Sequence, residues 1–131
     1  MFEIVPHTAD VRLRVRASSI EDLFREAMRG MFAIMQARAG DEVVRRRIAI
    51  DSIDRTALLV DFLSDVLSRA HIDRAVFDDV SFESLTETAV AAVVTGRGPA
   101  RFEQDVKAVT YHEADVRLVD GQWQTMLVFD I

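Results

Sequence analysis

His7-Thr8-Ala9-Asp10-Val11-Arg12-Leu13-Arg14-Val15-Arg16-Ala17 is the stretch from which the fold is read. Val11, Leu13, Val15 and Ala17 alternate with Arg12, Arg14 and Arg16, the period of two expected of a strand with one buried and one wet face. Phe2 to Val5 is also rich in strand formers, so His7 to Asp10 is a polar interruption between two strands. Asp10 is therefore expected at a sheet edge.

Ser18 or Ser19 then offers an N-cap, with Glu21 and Asp22 each three residues on in the capping-box arrangement. Ile20, Leu23, Phe24, Ala27, Met28, Met31, Phe32 and Met35 form an apolar stripe at helical spacing. Gly40-Asp41 is expected to stop that helix. Glu42 to Asp51 reads as a strand, in which Arg45, Arg46 and Arg47 point alternately to opposite faces and so form no single basic surface. Asp54 caps a second helix, with Leu59, Phe62, Leu63, Val66, Leu67 and Ala70 as its stripe. His71 near its end complements the helix dipole.

Val76 to Glu83 and Thr86 to Thr95 read as strands, the second apolar on both faces and hence central in the sheet. Gly96-Arg97-Gly98-Pro99 is expected as a turn. Val106 to Val119 and Gln122 to Asp130 form a hairpin through Asp120-Gly121, a dipeptide suited to a tight two-residue turn. The order is β-β-α-β-α-β-β-β-β: one α+β domain over residues 1–131, two layers, with two amphipathic helices packed on a mixed or antiparallel sheet.

Half of the 131 residues are apolar, enough for one ordinary core. The absence of cysteine excludes disulfides, thiolate metal sites and thiol nucleophiles, and agrees with a cytoplasmic protein. No basic-then-apolar leader and no membrane-length apolar run is seen, so a soluble protein without membrane contact is expected. A net charge of -6, from 22 acidic and 16 basic residues, argues against the whole surface gripping a phosphate backbone. No direct nucleic-acid partner is expected. All of those 16 basic residues are Arg except Lys107. Either Lys107 is an accident of composition or its position needs a compact ammonium that Arg does not supply.

The familiar catalytic patterns are missing. His7, His71 and His112 lack zinc-helix spacing, no Ser sits in a Gly-x-Ser-x-Gly turn, and Gly96 to Pro99 lacks the Lys-Ser/Thr ending of a phosphate loop. Residues 51–65 lack the alternating ligands and central Gly of an EF-hand. Three features remain: Asp10 after a strand break, Lys107 in the expected strand Lys107-Ala-Val-Thr-Tyr-His112, and Asp130 beside Ile131. If Ile131 is the natural end, two carboxylates lie within a residue of each other. They are either a solvated chain end or part of an oxygen-ligand site for a hard cation such as calcium or magnesium.

Taken together, His7-Thr8-Ala9-Asp10 before a strand, the Ser-x-Glu-Asp-Leu-Phe helix start, Lys107-Ala108-Val109-Thr110-Tyr111-His112, and a Trp-containing last strand closing on Asp130-Ile131 resemble the archease family. The resemblance spans essentially the whole chain. The helix through Leu58, Leu59 and Leu63 is similar too, with Phe62 where the family often has Trp. The Arg-rich strand after Asp10 departs from the more usual glycine-containing version.

The resemblance implies an accessory protein of the RtcB-type tRNA-splicing ligase and not an enzyme. Such a helper promotes guanylylation of the ligase, allows its multiple turnover and broadens its nucleotide use. It also implies metal ligation by Asp10, Asp130 and Ile131, usually of calcium with magnesium as the alternative, and a functional role for Lys107. His7 and His112 share those motifs and are expected to support the ligands from behind or to be structural. Two readings from other classes stand beside it: a general chaperone or protein-interaction module, and a metal-dependent enzyme acting on phosphoesters.

Overall fold

The computed structural model describes residues 1–6 and 10–131. Strand β1 (Phe2–Pro6) pairs antiparallel with β2 (Val11–Ala17), Phe2 opposite Val15 and Val5 opposite Arg12. Helix α1 (Ile20–Ile34) starts at Ser19, whose hydroxyl accepts from the Asp22 amide at 3.1 Å. It ends earlier than expected. Gln36 takes a left-handed conformation (φ 49°) well before Gly40, and the chain turns into the short β3 (Ala37–Arg38). Strand β4 (Glu42–Asp51) leads to α2 (Arg55–Asp73), whose N-cap Asp54 accepts from the Ala57 amide at 2.8 Å.

The remaining elements are strands: β5 (Val76–Leu85), β6 (Ala89–Gly98), β7 (Arg101–Phe102), β8 (Ala108–Thr110), β9 (Arg117–Val119) and β10 (Gln122–Asp130). The α+β architecture is present, its strands divided over a five-stranded sheet with the path β1-β2-β10-β8, a three-stranded sheet β4-β6-β5 and the small pair β3-β7. All pairings described are antiparallel. Strand β6 is central in its sheet, as its two apolar faces require.

Both helices are shared by the two larger sheets. α1 packs on β2 and β5, and α2 on β4 and β8. Phe24 of α1 lies 5.4 Å from Phe62 of α2 and 6.2 Å from Phe82 of β5, ring centre to ring centre, and so joins the layers. The expected stripes are the buried faces: Leu23, Phe24, Ala27, Met28 and Met31 on one helix, Leu59, Phe62, Leu63 and Val66 on the other. Leu13, Val15, Leu127 and Phe129 cover them from the five-stranded sheet.

The charges on β4 follow the strand period. Arg46 bonds Asp73 on α2 at 2.9 Å, whereas Arg47 turns away to Glu83 on β5 at 2.9 Å. That exposed pair raises the pKa of Arg47 and lowers that of Glu83, chiefly through their hydrogen bond.

Two expectations are corrected. Gly96 and Gly98 belong to β6 and not to a turn, paired with Val44 and Glu42 of β4, and β5 approaches so closely that a Cβ at Gly96 would lie 1.9 Å from the Val76 carbonyl oxygen. The chain bends only after Gly98, at Pro99, where the Gly98-Pro99 peptide is cis. The long strand expected over Val106 to Val119 is two short ones, β8 and β9, both paired with β10. Asp120 (φ 51°) and Gly121 (φ 77°) form the expected turn between β9 and β10.

The two glycines predict unequal penalties in urea denaturation. Gly96→Ala forces a Cβ into backbone and is expected to cost about 3 kcal/mol. Gly121→Ala meets no atom within 4 Å and is strained only by its positive φ, so about 1 kcal/mol is expected. Equal losses would contradict the close approach of β5 to β6.

Candidate functional site

Strand β10 assembles the candidate site because it has neighbours on both sides. Phe129 stands opposite Val11 of β2 and also opposite Val109 of β8. The residue before Val11 and the residue after Phe129 therefore emerge at the same end of the sheet, and these are Asp10 and Asp130. Both line one shallow depression with Thr110, His112 and Val128. Asp10 lies at the end of an interior strand and not at a sheet edge, since β2 is paired with β1 and β10.

Asp130 is opposite Ala108, and its carbonyl oxygen accepts from the Lys107 amide at 2.7 Å. Lys107 thus precedes β8 instead of lying in it, and its side chain is exposed beside the Asp130-Ile131 end. Among the described residues Lys107 makes no ion pair. Asp130 and Ile131 are exposed as well. The structure therefore brings Asp10, Asp130 and His112 to one depression, while Lys107 is tied to Asp130 through its main-chain amide and Ile131 follows Asp130 in the chain. His7 lies outside the described residues.

The surroundings include groups that the sequence did not single out. Arg12 Nε is 4.0 Å from Asp10 and 3.3 Å from Glu113, and so links the first of these carboxylates to the loop after β8. Thr110 contributes a hydroxyl to the depression, and that same oxygen accepts from the His112 amide at 3.3 Å. Thr110 was visible only as a member of a motif.

The donor chemistry suits a hard cation. Carboxylate and hydroxyl oxygens come together with no sulfur, the set that calcium and magnesium prefer. Among the described residues no three His, Asp or Glu side chains gather closely enough to hold an ion. Asp10 and Asp130 are the carboxylates that line the depression among the described residues.

A family model described as the Archease protein family (MTH1598/TM1083) matches residues 2–131. Protein archease of Methanopyrus kandleri is 34% identical over 140 residues, covering 99% of each chain. The Methanosarcina mazei protein of that name is 29% identical over 139 residues, covering 99% of this chain and 95% of its own. Among solved structures, protein 1598 of Methanobacterium thermoautotrophicum superposes with a TM-score of 0.69 at 24% identity, covering 99% of this chain and 98% of that one. A Thermotoga maritima protein described as "an archease, possible chaperone" gives a TM-score of 0.69 at 18% identity, covering 97% and 94%. These two structures bear on the fold alone. With the family model spanning nearly every residue, the chain belongs to the archease family.

Proposed function

We propose that this protein activates an RtcB-type RNA ligase, promoting guanylylation of the ligase and its multiple turnover without catalysing the transfer itself. One observation carries the reading: in a chain of the archease family, strand register delivers Asp10, Asp130, Ile131 and Lys107 to one end of the five-stranded sheet. Carboxylates at Asp10, Asp130 and Ile131 are the groups that would hold a divalent ion, calcium first and magnesium as the alternative. Bound there, the ion supplies positive charge at the protein's tip. Lys107 adds an exposed ammonium beside it, on a backbone anchored by the bond to Asp130. Its role is to favour the negative charge of a transferring phosphoryl group in the partner's nucleotide pocket. The working compartment in this reading is the cytoplasm. No helix among the described residues is long and apolar enough to cross a membrane.

The wording attached to the Thermotoga structure motivates a second reading, a chaperone for unrelated proteins. The two differ in their dependence on the site. A chaperone would suppress client aggregation equally well with Asp10→Asn, whereas the activator would not function.

Calorimetric titration with calcium tests the ligand set. Asp10→Asn and Asp130→Asn are each expected to weaken binding at least about tenfold, because affinity in oxygen sites follows the number of charged ligands. One glycine added after Ile131, which moves the terminal carboxylate away, is expected to weaken it comparably. Unchanged affinity in all three would remove this ligand set.

Ligation by a limiting amount of the cognate ligase tests the function. Added wild-type protein is expected to restore many rounds of ligation, and Lys107→Ala to reduce that stimulation by about 100-fold or more, the range seen when a charge-stabilising donor is removed. Full stimulation by Lys107→Ala would exclude the ammonium from the mechanism.

A further inference from the structure

Helix α2 reaches the candidate site through one carboxylate. Asp61, on the second turn of α2, accepts a hydrogen bond from the Tyr111 hydroxyl with one oxygen and from the Ser52 hydroxyl, at 2.6 Å, with the other. Tyr111 begins the loop that leaves β8, and residues 111–116 of that loop are tied down at several further points. The Val116 amide donates to the Thr56 hydroxyl of α2 at 2.9 Å, and the Asp115 amide to the buried Thr125 hydroxyl of β10 at 3.1 Å. Ala114 closes back on the Tyr111 carbonyl at 3.2 Å, and Glu113 takes a left-handed backbone (φ 63°).

Between those ties lie His112 and Glu113. His112 lines the depression holding Asp10 and Asp130, and Glu113 grips Arg12, the neighbour of Asp10. The Tyr111 ring is 60% exposed, so apolar burial does not hold this end of the loop in place. Its hydroxyl bond to Asp61 links it to α2 instead.

We propose that Asp61 is a positioning residue of the site: through Tyr111 it fixes the 111–116 loop, and so sets where His112 and Glu113 stand against Asp10 and Asp130. The proposal rests on the metal and ligase reading only for what the site binds. The loop clamp is independent of it. A carboxylate with both oxygens engaged, one on the chain entering α2 and one on the site loop, joins the helical layer to the end of the five-stranded sheet. Removing one partner leaves the others with unmade bonds.

The test compares Asp61→Ala and Tyr111→Phe with wild type, and uses Asp65→Asn, one turn along the same helix, as a control. Among the described residues Asp65 pairs only with Arg69, at 3.0 Å. Amide exchange of residues 111–116 is expected to speed up about tenfold in the two clamp variants and not in the control. Calcium affinity is expected to fall about fivefold with Asp10 and Asp130 intact, and Asp61→Asn, whose carbonyl oxygen accepts from one hydroxyl while its amide donates to the other, to recover part of both effects. Because the chain has a single tyrosine, its ionisation gives a further readout. The bond to Asp61 raises the Tyr111 pKa. The contact therefore stabilises the fold below the ordinary value of about 10 and is lost as pH rises through the higher folded value. Asp61→Ala should bring the titration back towards that ordinary value. Unchanged exchange over residues 111–116 overturns the clamp. Faster exchange with unchanged calcium affinity overturns its role in the site. A wild-type protein that takes up no calcium fails the metal reading, while the exchange comparison still decides the clamp.

Discussion

Everything at the candidate site depends on the antiparallel register of β10. This strand pairs with β2 along seven residues and with β9 and then β8 on its other side, so its neighbours fix it from both directions. Thr125, Leu127 and Phe129 face the helices, and Gln124, Met126 and Val128 the opposite side. A slip of one residue against β2 would exchange those faces and carry Asp130 away from Asp10. The same packing that makes a core therefore makes the site. Leu13 and Phe129, both fully buried, secure register and chemistry together.

The helices hold that sheet end from beneath. α1 sits close enough to β2 that a Cβ on Gly30 would lie 2.6 Å from Leu13 Cδ2. Arg25 fastens the same helix to β5, donating to the Val80 carbonyl at 2.8 Å and to Asp79 at 3.1 Å. The surface arginines of β2 are largely spoken for, Arg14 by Glu3 at 3.3 Å and Arg12 by Glu113 at 3.3 Å. The more exposed of the two, Arg14–Glu3, adds little stability, at most about 1 kcal/mol. The consequence of the two pairs is electrostatic: much of the Arg-rich strand is balanced locally, while the exposed Lys107 makes no ion pair among the described residues.

Much of this was legible in the sequence because local rules and tertiary packing agree. The alternation of Val11 to Ala17, the caps at Ser19 and Asp54, both helix stripes and the Asp120-Gly121 turn were read from single segments. So were Asp10, Lys107 and Asp130 as the unusual polar positions, although only the family resemblance joined them. What escaped involves distant partners. Gly96 and Gly98 look like a turn in isolation, and only distant neighbours, Val76 against Gly96 and the Arg74 carbonyl against Gly98, explain them as strand residues. Residues 106–119 look like one strand, yet the loop at Tyr111 to Val116 leaves the ladder to reach Thr56, Asp61 and Thr125. No spacing within 106–119 announces those contacts, which lie 10 to 60 residues away.

The measurement that tests the central claim most directly is the fraction of cognate ligase carrying covalent guanylate after incubation with labelled GTP. It would be followed with wild-type protein, with Asp130→Asn, and with no addition. The account predicts that wild type drives the ligase towards full modification, and that Asp130→Asn, folded and of unaltered secondary structure, leaves it near the level without addition. Equal guanylylation with wild type and Asp130→Asn would contradict a site built by the end of β10.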